Sequence, residues 1–181
     1  MSINNLQKRF SNGRDCFFCA TGIVFLLLLF SVTVPLWGDD VRFIKPGPND
    51  KCAACGMYVS GHPKWIAEII FKDGSHQFFD GPKCMFKYYF NLSKYKNKHK
   101  TNDILALFVT EYYQTKTISA RDVFFILGSD VIGPMGNELI PVQGKEAAKQ
   151  FFKDHHGKKM LRFDEITPEN IQSLEKNKKR D

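Results

Sequence analysis

The 181-residue chain contains no Gly-x-Ser-x-Gly elbow, no phosphate-binding loop and no His-Glu-x-x-His pair. Their absence removes the usual signatures of an activated serine, a bound nucleotide and a zinc-activated water. Carboxylates are plentiful, but none are spaced as an acid–base pair, and the expectation is a protein that is not an enzyme. Cysteine is scarce. Of five, Cys16 and Cys19 lie in an N-terminal apolar segment, which leaves Cys52, Cys55 and Cys84 in the remainder. Three thiols cannot build a two-disulfide staple, and in an oxidising compartment at least one must be free, metal-bound or paired with another molecule.

Charge is missing altogether from residues 16–38, which include the run Ile23-Val24-Phe25-Leu26-Leu27-Leu28-Leu29-Phe30. Roughly 20 apolar residues suffice to span a bilayer as a helix. Lys8, Arg9 and Arg14 precede this segment and Asp39-Asp40 follow it, an order that keeps the N-terminus in the cytoplasm and puts the rest of the chain outside. Leu36-Trp37-Gly38 is a poor small-x-small cleavage site, so a retained anchor and a cleaved signal peptide both fit residues 1–38. No cysteine follows the apolar run in a Leu-x-Gly-Cys pattern, and no lipoprotein signal is visible.

With 43% hydrophobic and 14% aromatic residues, the chain can bury an ordinary core, in one domain or two small ones. Its net charge of +7 is concentrated in local runs, Lys94 to Lys100 and the tail Lys176 to Arg180. Such runs read as solvated loops and tails, and without a stacking platform or finger spacing they do not indicate a nucleic-acid partner.

Two thiols and a thioether stand within six residues at Cys52-Ala53-Ala54-Cys55-Gly56-Met57. Soft sulfur ligands select Cu(I), with zinc competing for the thiolates, whereas calcium and magnesium require oxygen. Copper is therefore the first expectation.

The chain after residue 38 alternates in a legible order. Residues 39–51, with Lys45-Pro46-Gly47-Pro48, read as an extended linker. Trp65 to Phe71 and Ser75 to Phe79 flank Asp73-Gly74, a hairpin turn pair. Asp80-Gly81-Pro82 then predicts a capped helix start, with Met85, Tyr88, Tyr89 and Leu92 at helical spacing, and Leu105 to Tyr113 predicts a strand. The order repeats as strand Val123–Leu127, strand Leu139–Val142, helix Lys145–His155 and strand Lys159–Phe163. The predicted fold is α+β, with two similar ββαβ units over residues 52–116 and 117–166. Thr167-Pro168-Glu169 opens a last short helix within residues 167–181.

Two methionines sit among glycines in loops, Met57 after Cys55-Gly56 and Met135 within Gly133-Pro134-Met135-Gly136. An isolated methionine usually fills a core gap, as Met85 and Met160 are expected to do. A loop thioether, by contrast, suits a copper carrier, since it neither titrates nor forms disulfides and releases the ion readily. Among the histidines, His62 in Gly61-His62-Pro63 could add an imidazole or simply shape a turn. His76 on a strand, His99 in a lysine-rich loop and His155-His156 at a helix C-terminus have sufficient structural explanations.

Cys52-x-x-Cys55-Gly56-Met57, the segment Phe78-Phe79-Asp80-Gly81 leading into a helix, and Gly133-Pro134-Met135-Gly136 followed by Ile140-Pro141 together resemble the NosL family, accessory proteins of nitrous oxide reductase. The resemblance runs from about Asp50 to Phe163. It implies a copper-binding protein on the periplasmic side of the cytoplasmic membrane that supplies Cu(I) to nitrous oxide reductase or its assembly machinery. Carried over by position, Cys52, Cys55, Met57 and Met135 are the implied ligands. Members of the family are commonly lipoproteins, and the missing lipobox is a departure that bears on attachment. The role of Cys84 is not settled by the resemblance.

Two rivals use the same residues. A membrane-anchored thiol–disulfide oxidoreductase would shuttle Cys52-x-x-Cys55 between dithiol and disulfide, but such a pair normally leaves a strand to open a long helix, and this one follows a linker. A structural zinc site could combine Cys52, Cys55, Cys84 and one histidine, and would leave Met57 and Met135 without a purpose.

Overall fold

The computed structural model describes residues 41–95 and 98–176. The apolar segment 16–38, with the choice between anchor and signal peptide, lies outside the described residues, as does the basic tail after Lys176. Among the described residues no helix is long and apolar enough to cross a membrane.

Among the described residues, seven strands and three helices follow one another in two rounds of the same order. In the first, β1 (Ala67–Phe71) and β2 (His76–Phe79) form a hairpin, α1 (Pro82–Tyr89) follows, and β3 (Ile104–Thr110) returns beside β1. In the second, β5 (Val123–Gly133) and β6 (Gly136–Gln143) form the hairpin, α2 (Lys145–Asp154) follows, and β7 (Lys159–Leu161) returns beside β5. A short β4 (Thr117–Ser119), which no sequence pattern marks, extends the first sheet to the order β2-β1-β3-β4; the second is β6-β5-β7. All pairings are antiparallel. In each round the first strand is central, flanked by its hairpin partner and by the strand that follows the helix. The α+β class with two ββαβ units is thus what the chain adopts, closed by α3 (Pro168–Lys176).

Local chemistry explains the turns. At Asp73-Gly74 the glycine takes φ +82°, and Asp73 Oδ1 accepts from both the amide and the hydroxyl of Ser75. Thr167 caps α3, its hydroxyl accepting from the Asn170 amide at 3.4 Å while Asn170 Oδ1 accepts from the Thr167 amide at 3.0 Å. One expected cap is corrected. The residue before α1 is Gly81, in extended conformation and with no side-chain cap, and Pro82 starts the helix as expected. Asp80 is fully buried and turned toward Cys55, so it does not serve the helix.

The second hairpin is longer than the alternation suggested. Its ladder runs from Val123↔Gln143 to Leu127↔Leu139, then resumes at Ile132↔Asn137 and Gly133↔Gly136. Residues 128–131 therefore stand opposite Glu138 alone, a wide bulge entered through Gly128 at φ +72°. The apolar period breaks at this bulge, which is why the sequence pattern ends at Leu127 while the strand continues.

A single core joins the two rounds. Phe86 of α1, fully buried, packs at 5.2 Å between ring centroids against both Phe125 of β5 and Phe163 beyond β7. Met85 beside it is also fully buried, as expected. A smaller cluster of Ile126, Ile140, Val142, Ala148 and Phe151 lies under α2, with Met160 packed against it. Glu68 is buried in the middle of β1, and its Oε2 accepts from the Ile44 amide at 3.0 Å, which pins the extended entry segment to the first sheet.

Candidate metal centre

The cysteine motif is a closed loop. Lys51 and Tyr58 form an isolated antiparallel bridge, the Cys52 amide donates to Met57 O at 2.7 Å, and the Gly56 amide donates to Cys52 O at 2.8 Å. Gly56 sits at φ +82°, a conformation that favours glycine at this step of the motif. The Ala53 amide donates to Phe78 O at 2.9 Å and ties the loop to the end of β2. Because β2 leads through Asp80 and Gly81 straight into α1, the same tie brings Asp80 and the first turn of α1 to the thiols. The pair Cys52-x-x-Cys55 opens no helix, in contrast to the usual oxidoreductase arrangement.

The ligand atoms of Cys52, Cys55, Asp80 and Cys84 all lie within 4.8 Å of one another. Cys52, Cys84 and Asp80 are buried and Cys55 is exposed; the three thiols are free. Cys55 Sγ donates to Asp80 Oδ2 at 3.4 Å, while Asp80 Oδ1 is buried without a hydrogen-bond partner. Three thiols crowded onto one carboxylate cannot titrate independently. A hydrogen bond from Cys84 holds Cys52 down to about 7 despite burial, and the same bond, with burial, pushes Cys84 up. Although Cys55 as a residue is exposed, partial desolvation of its thiol, together with the neighbouring Cys52 and Asp80, pushes it up to about 12. The group is therefore set to lose its first proton near neutral pH, with the Cys84 donor favouring the charge on Cys52.

Beside the cluster lies a cavity of about 200 Å³ lined by Ala54, Cys55, Cys84 and Met135, with Lys83, Lys87 and Glu175 completing its wall. Met135 occupies the tight turn between β5 and β6, so the second unit reaches the thiols through this residue. Of the four expected ligands, Cys52 and Cys55 meet directly and Met135 shares a cavity wall with Cys55. Met57 shares the motif loop, half-buried, and does not line the cavity. Two residues join that were not among the implied copper ligands, Asp80 and Cys84, the latter expected only in the rival zinc set. None of the histidines belongs to the group. His99 stacks on Phe71 at 4.1 Å and His155 on Phe151 at 4.3 Å, each also bonded to an aspartate.

The set suits a soft or borderline cation. Three sulfurs and one carboxylate could serve Cu(I) or Zn(II), and the orphaned Asp80 Oδ1 is a polar atom that an ion would satisfy.

Two sheet-and-helix units with the same ββαβ order bring together a mixed thiol and carboxylate cluster with the donor set of a metal site. The NosL family model matches residues 44–171, and the chain belongs to that family. No curated protein sequence matches. Among solved structures, the crystal structure of the copper chaperone NosL from Shewanella denitrificans is similar, with a TM-score of 0.61 at 22% identity, covering 71% of this chain and 97% of that one.

Proposed function

We propose that the protein binds Cu(I) outside the cytoplasm and hands it to a copper enzyme, with nitrous oxide reductase or its assembly machinery as the receiving partner. The observation that carries this reading is the convergence of Cys52, Cys55, Cys84 and Asp80 within 4.8 Å, beside a cavity wall that contains Met135. Membership of the NosL family and the fold shared with a copper chaperone support it. The segment 16–38 supports a location on the periplasmic side of the membrane, anchored there or released after cleavage.

The cargo enters at the exposed Cys55 and meets the Cys52 thiolate. Capture by further sulfurs releases the protons of Cys84 and Cys55 to water. Met57 and Met135 supply thioethers, which hold Cu(I) without a proton to displace and let it go by ligand exchange. With Cys55 at the surface, an incoming partner thiolate or imidazole can attack one side of a low-coordinate ion while the buried sulfurs still hold the other.

Incubating the Cu(I)-loaded protein anaerobically with copper-free nitrous oxide reductase tests the reading. Copper should appear in the enzyme faster than from an equally buffered Cu(I)–chelator complex. Equal rates from both sources would contradict a carrier role.

A further inference from the structure

Met135 sits at the tip of a hairpin whose ladder is interrupted below the tip and resumes for two pairs only. Between Leu127↔Leu139 and Ile132↔Asn137 the pairing is interrupted, with residues 128–131 opposite Glu138 only. A bulge of that size leaves the outer pairs, Ile132↔Asn137 and Gly133↔Gly136, free to tilt relative to the rest of the sheet. Something else must fix where Met135 points.

That role falls to the first turn of α1. Lys83 is buried, 5% exposed, and its ammonium donates to Met135 O at 2.8 Å and to Asn137 O at 2.5 Å, bracketing the turn. In the opposite direction the Lys83 amide donates to Glu138 Oε1 at 2.5 Å, and the same oxygen accepts from the Leu139 amide at 3.0 Å. Glu138 is itself buried and fills the space between two glycines; a Cβ on Gly81 would meet its Oε2 at 2.5 Å, and one on Gly133 its Cβ at 3.0 Å. Burying an ammonium is costly unless it is paired and hydrogen-bonded. Here the two carbonyls meet the hydrogen-bonding need, and both belong to the segment that carries Met135.

We propose that Lys83 is a positioning residue that clamps the β5–β6 tip onto α1, holds the Met135 thioether against the thiol cluster and so sets the preference of the site for Cu(I) over Zn(II). The inference rests on the copper reading above. Zinc is satisfied by thiolate and carboxylate ligands and gains little from a thioether, whereas Cu(I) gains directly. Displacing Met135 therefore weakens one metal and spares the other.

The test is a double-mutant cycle on the full chain, with Lys83→Met, Met135→Leu and the double variant. Cu(I) and Zn(II) affinities are measured separately by anaerobic competition with chelators of known affinity. Lys83→Met should lose about 10-fold in Cu(I) affinity, the scale of an outer-shell change, with Zn(II) affinity nearly unchanged and no further Cu(I) loss once Met135 is Leu. Lys83→Arg, which keeps a cation able to donate to both carbonyls, should recover most of the Cu(I) affinity. Equal losses for both metals, or losses that add in the double variant, would overturn the clamp. If Lys83→Met does not fold, Lys83→Gln, polar but too short to reach both carbonyls, carries the same cycle. A wild-type chain that binds no Cu(I) would bring down the copper reading and the clamp together. Wild-type binding unaltered by any Lys83 variant would bring down the clamp alone.

Discussion

Cys84 holds the proton that makes Cys52 acidic. A buried thiol would ordinarily titrate above its solution value, yet Cys52 lies at about 7 because Cys84 donates to its thiolate. Replacing Cys84 with Ala removes that donor and leaves burial dominant, so the Cys52 pKa should rise. Ultraviolet thiolate absorbance followed against pH checks this; the wild type should show one thiolate forming near pH 7, and Cys84→Ala should lose that step. Persistence of the step in the variant would assign the acidic thiol elsewhere. Of the cluster, the pair Cys52 and Cys55 is legible from spacing alone, since two cysteines three apart in a glycine-containing loop must be close. Asp80 and Cys84 are not, because they reach the loop only through the Ala53–Phe78 bond that sets the end of β2 beside it. Asp80 also misleads locally, as an aspartate before Gly-Pro at a helix start reads as a cap when its long-range partner is unknown.

At the scale of elements, α1 is the hinge between the two units. It carries Cys84 into the thiol cluster, Lys83 toward the β5–β6 turn and Phe86 into the core formed with Phe125 and Phe163. Phe86→Ala should cost about 3–5 kcal/mol, the usual range for deleting a fully buried aromatic ring. Because the ring touches both units, denaturant unfolding followed by tryptophan fluorescence and by circular dichroism should still show one coincident transition at a lower midpoint. Two separated transitions would mean that the units hold their cores independently. Gly81→Ala places a Cβ 2.5 Å from Glu138 Oε2, and the carboxyl cannot move freely because its other oxygen, Oε1, is held by two amides. An overpacking loss of about 1–3 kcal/mol is expected from the same denaturation measurement. The hairpins and helices were readable because apolar alternation, the Asp73-Gly74 turn and the prolines at helix starts are local signals. The full length of β5 was not. Its bulge breaks the alternation, and the pairing beyond it is decided by Gly136 at φ +85° and by the Lys83 bonds, which no window of sequence contains.

For the whole molecule, two buried glutamates set the pH dependence of stability. Burial raises Glu68 and Glu138 to about 7 from an ordinary 4.5. Between those values the folded chain retains protons that the unfolded chain has released. The contribution is thus complete below about 4.5 and is lost as pH rises through about 7. Urea denaturation should show the protein more stable at about pH 5 than at about pH 7, with Glu68→Gln and Glu138→Gln each removing part of the difference. Stability that rises over that interval would contradict the burial of these carboxyls as neutral acids. The duplicated ββαβ plan was visible in the sequence as two passes of the same element order. Their fusion into one core was not, since Phe86, Phe125 and Phe163 lie on three different elements and no period relates them. The two units meet beside the thiol cluster, and on the proposed reading Cu(I) bound there by sulfurs of both should stabilise the fold as a whole.

The most direct measurement is an anaerobic Cu(I) titration of the full chain against a competing chromophoric chelator, for the wild type and for Cys52→Ala, Cys55→Ala, Cys84→Ala, Met57→Leu and Met135→Leu. The expected result is one tightly held equivalent, abolished or severely weakened by loss of Cys52 or Cys55, reduced without Cys84 and weakened by loss of either methionine. A wild type that cannot compete for Cu(I), or binding indifferent to both methionines, would contradict a Cu(I) site shared between the cysteine loop and the β5–β6 turn.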